Sequence, residues 1–125
     1  MKEKKNILLV EDDAFVCDIY QTKLEQEGYK LILANNGLEA MKKLEEGIPD
    51  LILLDIVMPY MDGLEVLKKL KAEEKWKKIP VIILTNLSQK EEVEEGLGIG
   101  ADDYLIKSHF TPSEVVEKVK SMLEK

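Results

Sequence analysis

Apolar residues in this chain gather in five short runs, at 7–10, 29–34, 51–54, 81–84 and 104–106, and between the runs they recur every three or four places. A short apolar run bounded by polar residues suits a strand buried on both faces, and a recurrence of three or four suits an amphipathic helix. The spacing predicts a first helix over 14–27 with Phe15, Ile19 and the Val16, Tyr20, Leu24 row inward, closed by Gly28. Cys17 on that helix reads as a small packed or half-exposed side chain. A second helix, 38–46, turns Ala40, Met41 and Leu44 inward and ends at Gly47; a third, 63–72, buries Leu64, Val66, Leu67 and Leu70. The polar stretch 73–78 is a loop whose Trp76 is expected to be a partly packed lid. Ser88 with Glu91 has the form of a capping box for a fourth helix. That helix carries Gly96 and Gly98 inside it, each costing about 1 kcal/mol against alanine, so its C-terminal half is expected to be short, frayed or mobile. Thr111, Pro112 and Glu114 start the last helix, whose apolar face is Val115, Val116, Val119, Met122 and Leu123.

Five strand–helix units in alternation predict an α/β fold: a doubly wound, five-stranded parallel sheet with five helices, some on each face. In the common order 2-1-3-4-5 the chain reverses direction between the first and third strands, and ligands gather at such a reversal beyond the C-terminal strand ends. The residues at those ends are polar. Glu11 and Asp12 follow the first strand, Asp55 the third, Thr85 the fourth and Lys107 the fifth. Taken singly, each has a plain structural explanation as a helix cap, a strand-end hydroxyl or a solvated charge. Together on one edge they make a site. Carboxylates packed together repel, so either one keeps a proton or a cation sits among them, and an oxygen-only set suits Mg2+ with room for a phosphate oxygen. An acceptor carboxylate, a metal, an ammonium and a hydroxyl are what phosphoryl transfer requires. No nucleotide-binding loop of the G-x-x-x-x-G-K-[ST] form is present, so the phosphoryl group has to come from another molecule.

Composition narrows the setting. The 125 residues fit one domain, spanning 1–125, that can bury a core without disulfides. A net charge of -7 argues against direct nucleic-acid binding or attachment to an anionic membrane surface. One cysteine, Cys17, and no Cys/His spacing for zinc fit a reducing, cytoplasmic environment. There is no apolar run of about 18 residues and no apolar leader, so neither a membrane span nor secretion is expected.

With these residues in place the chain resembles the receiver domain of two-component response regulators, and does so along its whole length. The segments that carry the likeness are ILLVEDD at 7–13, LILLDIVMPYMDG at 51–63, VIILT at 81–85 and GADDYLIK at 100–107. The resemblance implies a flavodoxin-like fold and a phosphoprotein switch rather than an enzyme with turnover. Asp55 is then the phosphoacceptor, modified to an aspartyl phosphate by a sensor histidine kinase, a phosphotransfer protein or a small phosphodonor. Asp12 and Asp55 bind Mg2+ beside the Val57 carbonyl, with Glu11 completing the acidic pair. Thr85 and Lys107 contact the phosphoryl group, and Tyr104 is the aromatic that turns inward on activation. The expected output is a reset surface of helix four, strand five and helix five, read by a downstream effector protein. A stand-alone receiver, like the chemotaxis regulators, and a fragment of a longer regulator both fit, as does dimerisation on phosphorylation.

Three departures from that family's pattern bear on chemistry. Ser108 follows the lysine where the family usually has a proline behind a cis peptide, and Phe110 comes one place late. A cis bond before Ser108 would cost about 2.5–4 kcal/mol, so a trans or a strained loop is expected. Asn86 stands where a small residue usually admits phosphate. Val57 and Leu87 flank the route of an attacking water in the family, and apolar side chains there predict slow self-dephosphorylation. His109 reads as a surface loop residue. Three other functions are weighed against the receiver: a constitutive docking module; a Mg2+-dependent phosphohydrolase of the aspartyl-phosphate type, which wants a second acid where Val57 stands; and a flavin module, whose phosphate loop the acidic EDDAF segment would repel.

Overall fold

A computed structural model of the protein describes residues 4–86, 89–107 and 111–124. The five apolar runs form β1 (Asn6–Val10), β2 (Lys30–Ala34), β3 (Leu51–Asp55), β4 (Val81–Thr85) and β5 (Asp103–Ile106). The helices between and after them are α1 (Ala14–Gln26), α2 (Gly37–Glu46), α3 (Gly63–Ala72), α4 (Lys90–Ile99) and α5 (Pro112–Leu123). All strand pairs are parallel, and the sheet order is β2-β1-β3-β4-β5, as expected from the sequence.

Alternation along the strands divides the core in two. Leu8, Val10, Ile52, Leu54, Val81 and Ile83 meet α2, α3 and α4 through Ala40, Leu44, Val66, Leu67, Leu70 and Val93. Ile7, Leu9, Leu51, Leu53, Ile82 and Leu84 meet α1 and α5 through Tyr20, Leu24, Val115, Val116 and Val119. β1, β3 and β4 are buried on both faces, which explains why their apolar runs carry no polar residue, whereas the edge strand β2 exposes Lys30. The register sets Val10 beside Leu54, Asp55 beside Leu84 and Thr85 beside Ile106, so the polar residues after the runs emerge along one edge.

Local signals work largely as the sequence suggests. Asp13 caps α1 by accepting from the Phe15 and Val16 N–H groups, and the Thr111 hydroxyl oxygen accepts from the Glu114 N–H with Pro112 at the first position of α5. Gly28 takes φ 94, the left-handed turn that only glycine adopts freely. Three details differ from expectation. Phe15 is not inward but 73% exposed: at about 100° per residue it lies half a turn from Leu24, on the opposite side of α1. Cys17 is packed inward and buried, within what the sequence led one to expect. Trp76 is more than a lid, since it is only 4% exposed and joins the α2–α3 core. α4 runs unbroken through Gly96 and Gly98 to Ile99. A Cβ on Gly96 would stand 2.4 Å from the Ile83 Cδ1, so this glycine lets α4 lie close on β4, and packing offsets its low helix propensity. The residue at the cap position of α4 is Gln89, whose side chain makes no capping bond; Ser88 and the box it was expected to form lie outside the described residues. Among the described residues no helix is long and apolar enough to cross a membrane.

Candidate functional site

β1 and β3 are neighbours, so the residues that end them meet. Glu11 is fully buried, Asp55 is 5% exposed, and Asp12 faces solvent. Each offers a carboxylate oxygen within 4.8 Å of the other two. Lys107 arrives from the end of β5, where its N–H donates to the Thr85 carbonyl at 2.8 Å. Its ammonium bonds Glu11 Oε1 at 2.5 Å and lies 3.3 Å from Asp55 Oδ2. The other oxygen of Glu11 accepts from the Asp13 N–H at 3.1 Å.

The loop after β3 is drawn tightly around Asp55. The Gly63 N–H donates to the Ile56 carbonyl at 2.7 Å, and a Cβ on Gly63 would meet the Asp55 carbonyl oxygen at 2.2 Å. Gly37 has the same constraint against the Met61 carbonyl, which also accepts its N–H. Tyr60, in this loop, holds φ 69, a left-handed conformation uncommon for a tyrosine. These contacts fix the peptide that follows Asp55.

Electrostatics follow from burial. Desolvation, joined by the negative charge of Glu11, raises the Asp55 carboxyl to about 7, although Lys107 pulls the other way. Burial works against the Lys107 ammonium, but its hydrogen bond to Glu11 and the charges of Asp55 and Glu11 outweigh that and leave its pKa raised. The site therefore holds a half-buried cation between two buried acids, with a third acid at its mouth. A hard cation with oxygen ligands is the chemistry this donor set suits.

The acids open into a cleft of about 510 Å³ lined by Glu11, Asp12, Asp55, Val57, Asn86 and Lys107, among others. Val57 is 56% exposed at this cleft, as the sequence placed it. Leu87, Ser108, His109 and Phe110 lie outside the described residues, as does the peptide between Lys107 and Ser108. Thr85 reaches the same sheet edge, but its hydroxyl is committed elsewhere: it donates to Gln89 Oε1 at 2.7 Å. Tyr104 stands apart from the acids. It is 40% exposed and lines a groove of about 320 Å³ between α4 and β5 with Thr85, Val93, Leu97 and Ile106. Gln89, which also lines the acidic cleft, was missed in the sequence. The available signal was a polar residue four places after the strand-end threonine, in a loop too short to carry it far away.

The sequence profile described as the response regulator receiver domain matches residues 7–120. The alkaline phosphatase synthesis transcriptional regulatory protein PhoP of Bacillus subtilis is 40% identical over 121 residues, 97% of this chain and 49% of that protein. The phosphate regulon transcriptional regulatory protein PhoB of Escherichia coli is 38% identical over 121 residues, 97% of this chain and 52% of its own. The chain thus spans about half the length of the curated relatives it matches. Among solved structures, the CheY-like response regulator receiver domain protein of Methanospirillum hungatei superposes with TM-score 0.89 at 33% identity, covering 98% of this chain and 95% of that one. Chemotaxis response regulator CheY4 of Vibrio cholerae gives TM-score 0.89 at 28% identity, covering 97% and 100%.

Proposed function

Because the chain belongs to the response regulator receiver domains of two-component signalling, we propose that Asp55 is its phosphoacceptor and that 1–125 works as one receiver unit. The observation that carries this reading is the pairing of one buried carboxylate, Asp55, with the Lys107 ammonium at the mouth of an acidic cleft. An Asp55 oxygen forms the new bond to phosphorus while the bond to the donor's nitrogen or oxygen breaks, and the donor leaves with that electron pair. Lys107 offsets charge on the phosphoryl oxygens, and Thr85 supplies a hydroxyl to one of them once it turns from its present partner. Asp12 and Asp55, with the Val57 carbonyl and Glu11 close by, would hold Mg2+. When bound, magnesium neutralises charge that develops on the transferred group.

The donor is a sensor histidine kinase, a phosphotransfer protein or a small phosphodonor, and the setting is cytoplasmic. Tyr104 is half exposed and shares the α4–β5 groove with Thr85, which supports an inward turn behind Thr85 that would reshape the α4, β5 and α5 surface read by an effector protein. No oriented acid stands at Val57 to drive turnover, which favours a long-lived switch over a phosphohydrolase. Intact mass after incubation with acetyl phosphate and Mg2+ tests the reading. One phosphoryl group is expected on the wild type and none on Asp55→Asn or with chelator; equal uptake by Asp55→Asn overturns it.

A further inference from the structure

The oxygen that Thr85 bonds in this structure belongs to a side chain with no role so far. Gln89 is 9% exposed, and its Oε1 accepts two hydrogen bonds, from the Thr85 hydroxyl at 2.7 Å and from the Asn86 N–H at 3.0 Å. A backbone N–H can only donate, so the amide must turn its oxygen, not its nitrogen, toward the pair. One oxygen therefore sits where it satisfies both donors at the end of β4. A phosphoryl oxygen on Asp55 that recruits the Thr85 hydroxyl has to take that hydroxyl from Gln89.

Gln89 is also tied to the start of α4. Its N–H donates to the Asn86 carbonyl at 3.1 Å, and its carbonyl accepts from the Val93 N–H at 3.0 Å, the first bond of the helix. One residue thus joins the Thr85 hydroxyl, the loop that follows it and the first turn of α4.

We infer that Gln89 is a positioning residue that holds Thr85 in its unphosphorylated arrangement, by presenting an amide oxygen to the hydroxyl that a phosphoryl oxygen would recruit and to the Asn86 N–H beside it. The inference rests on the reading of Asp55 as acceptor, and it concerns the cost of recruiting Thr85 rather than the chemistry at phosphorus. Gln89 therefore sets how readily the switch is thrown.

Two substitutions of similar length separate this role from a merely structural one. Gln89→Met removes the acceptor and leaves the Thr85 hydroxyl only the longer contact to the Asn86 carbonyl at 3.2 Å, whereas Gln89→Glu keeps it and makes it anionic, which strengthens the bonds to both donors. In acetyl phosphate with Mg2+, the rate of phosphoryl uptake at Asp55 is expected to rise about three- to ten-fold in Gln89→Met and to fall by a similar factor in Gln89→Glu. A packing role would slow both. As a readout independent of phosphorylation, exchange of the Asn86 amide hydrogen in the metal-free protein should be about ten-fold faster in Gln89→Met than in the wild type. If the wild type takes up phosphoryl but all three rates agree, or if the Asn86 exchange does not change, the inference is overturned while Asp55 remains the acceptor. If the wild type takes up none, the acceptor reading and this inference fall together. Thermal melts establish that each variant is folded, and if Gln89→Met is not, Gln89→Glu decides: uptake at or above the wild-type rate overturns the inference.

Discussion

Asp55 is held between opposing demands. As the proposed acceptor it must be ionised to attack phosphorus, yet burial and the charge of Glu11 raise its pKa to about 7 in the metal-free protein. In the unfolded chain the same group titrates near 3.9. Between those values the native state binds a proton that the unfolded chain has lost, so this contribution to stability is complete below about pH 4 and is lost as pH rises through about 7. Asp55→Asn removes the effect. In chelator, the variant is expected to be more stable than the wild type at pH 8 by on the order of 2 kcal/mol, with the gap closing toward pH 4. A gap that stays constant over that range in thermal or urea unfolding would contradict this account of Asp55. At Lys107 the expectation is opposite in sign. Lys107→Ala leaves Glu11 and Asp55 buried without their cation and should lower stability at pH 8 by about 2–3 kcal/mol; unchanged unfolding midpoints would show that the pair contributes little.

At the level of elements, the loop after β3 and helix α4 place their glycines for different reasons. Gly63 faces the carbonyl of Asp55 so closely that an alanine must displace backbone. Gly63→Ala is expected to cost about 2–4 kcal/mol and to slow phosphoryl uptake, because it moves the acceptor. Nothing lies within 4 Å of a Cβ on Gly98, so Gly98→Ala should stabilise the protein by about 0.5–1 kcal/mol. Denaturant titrations of the two variants check both signs, and a stabilised Gly63→Ala would refute the close packing around Asp55. The same contrast marks what the sequence could convey. Strands, helix faces and the polar residues that end each strand were legible because periodicity and turn residues report local geometry. Phe15 was misplaced because it stands one turn before Ile19, which packs on the core, yet half a turn from Leu24, and only the position of the sheet shows that the Leu24 side is the buried one. Gly96 looked like a weakness for a related reason: nothing in the sequence says that Ile83 lies beneath it. Gln89 escaped because its function consists of two hydrogen bonds made across a loop.

Across the molecule, one topological fact gathers the chemistry. With β1 beside β3 and all five strands parallel, Glu11, Asp55, Thr85 and Lys107 leave the sheet on the same edge, while the two apolar layers beneath hold those ends in register. In the proposed switch, a change at Asp55 passes through Thr85 and Gln89 to α4, beside the groove that Thr85 and Tyr104 line. The central claim is that a phosphoryl group is carried by this one carboxylate. Locating the modification after treatment with acetyl phosphate and Mg2+ tests it most directly, by peptide mass mapping with and without hydroxylamine, which cleaves acyl phosphates. A single hydroxylamine-labile phosphoryl group on the peptide containing Asp55 is the predicted result. A hydroxylamine-stable group, or one on a peptide lacking Asp55, would contradict it.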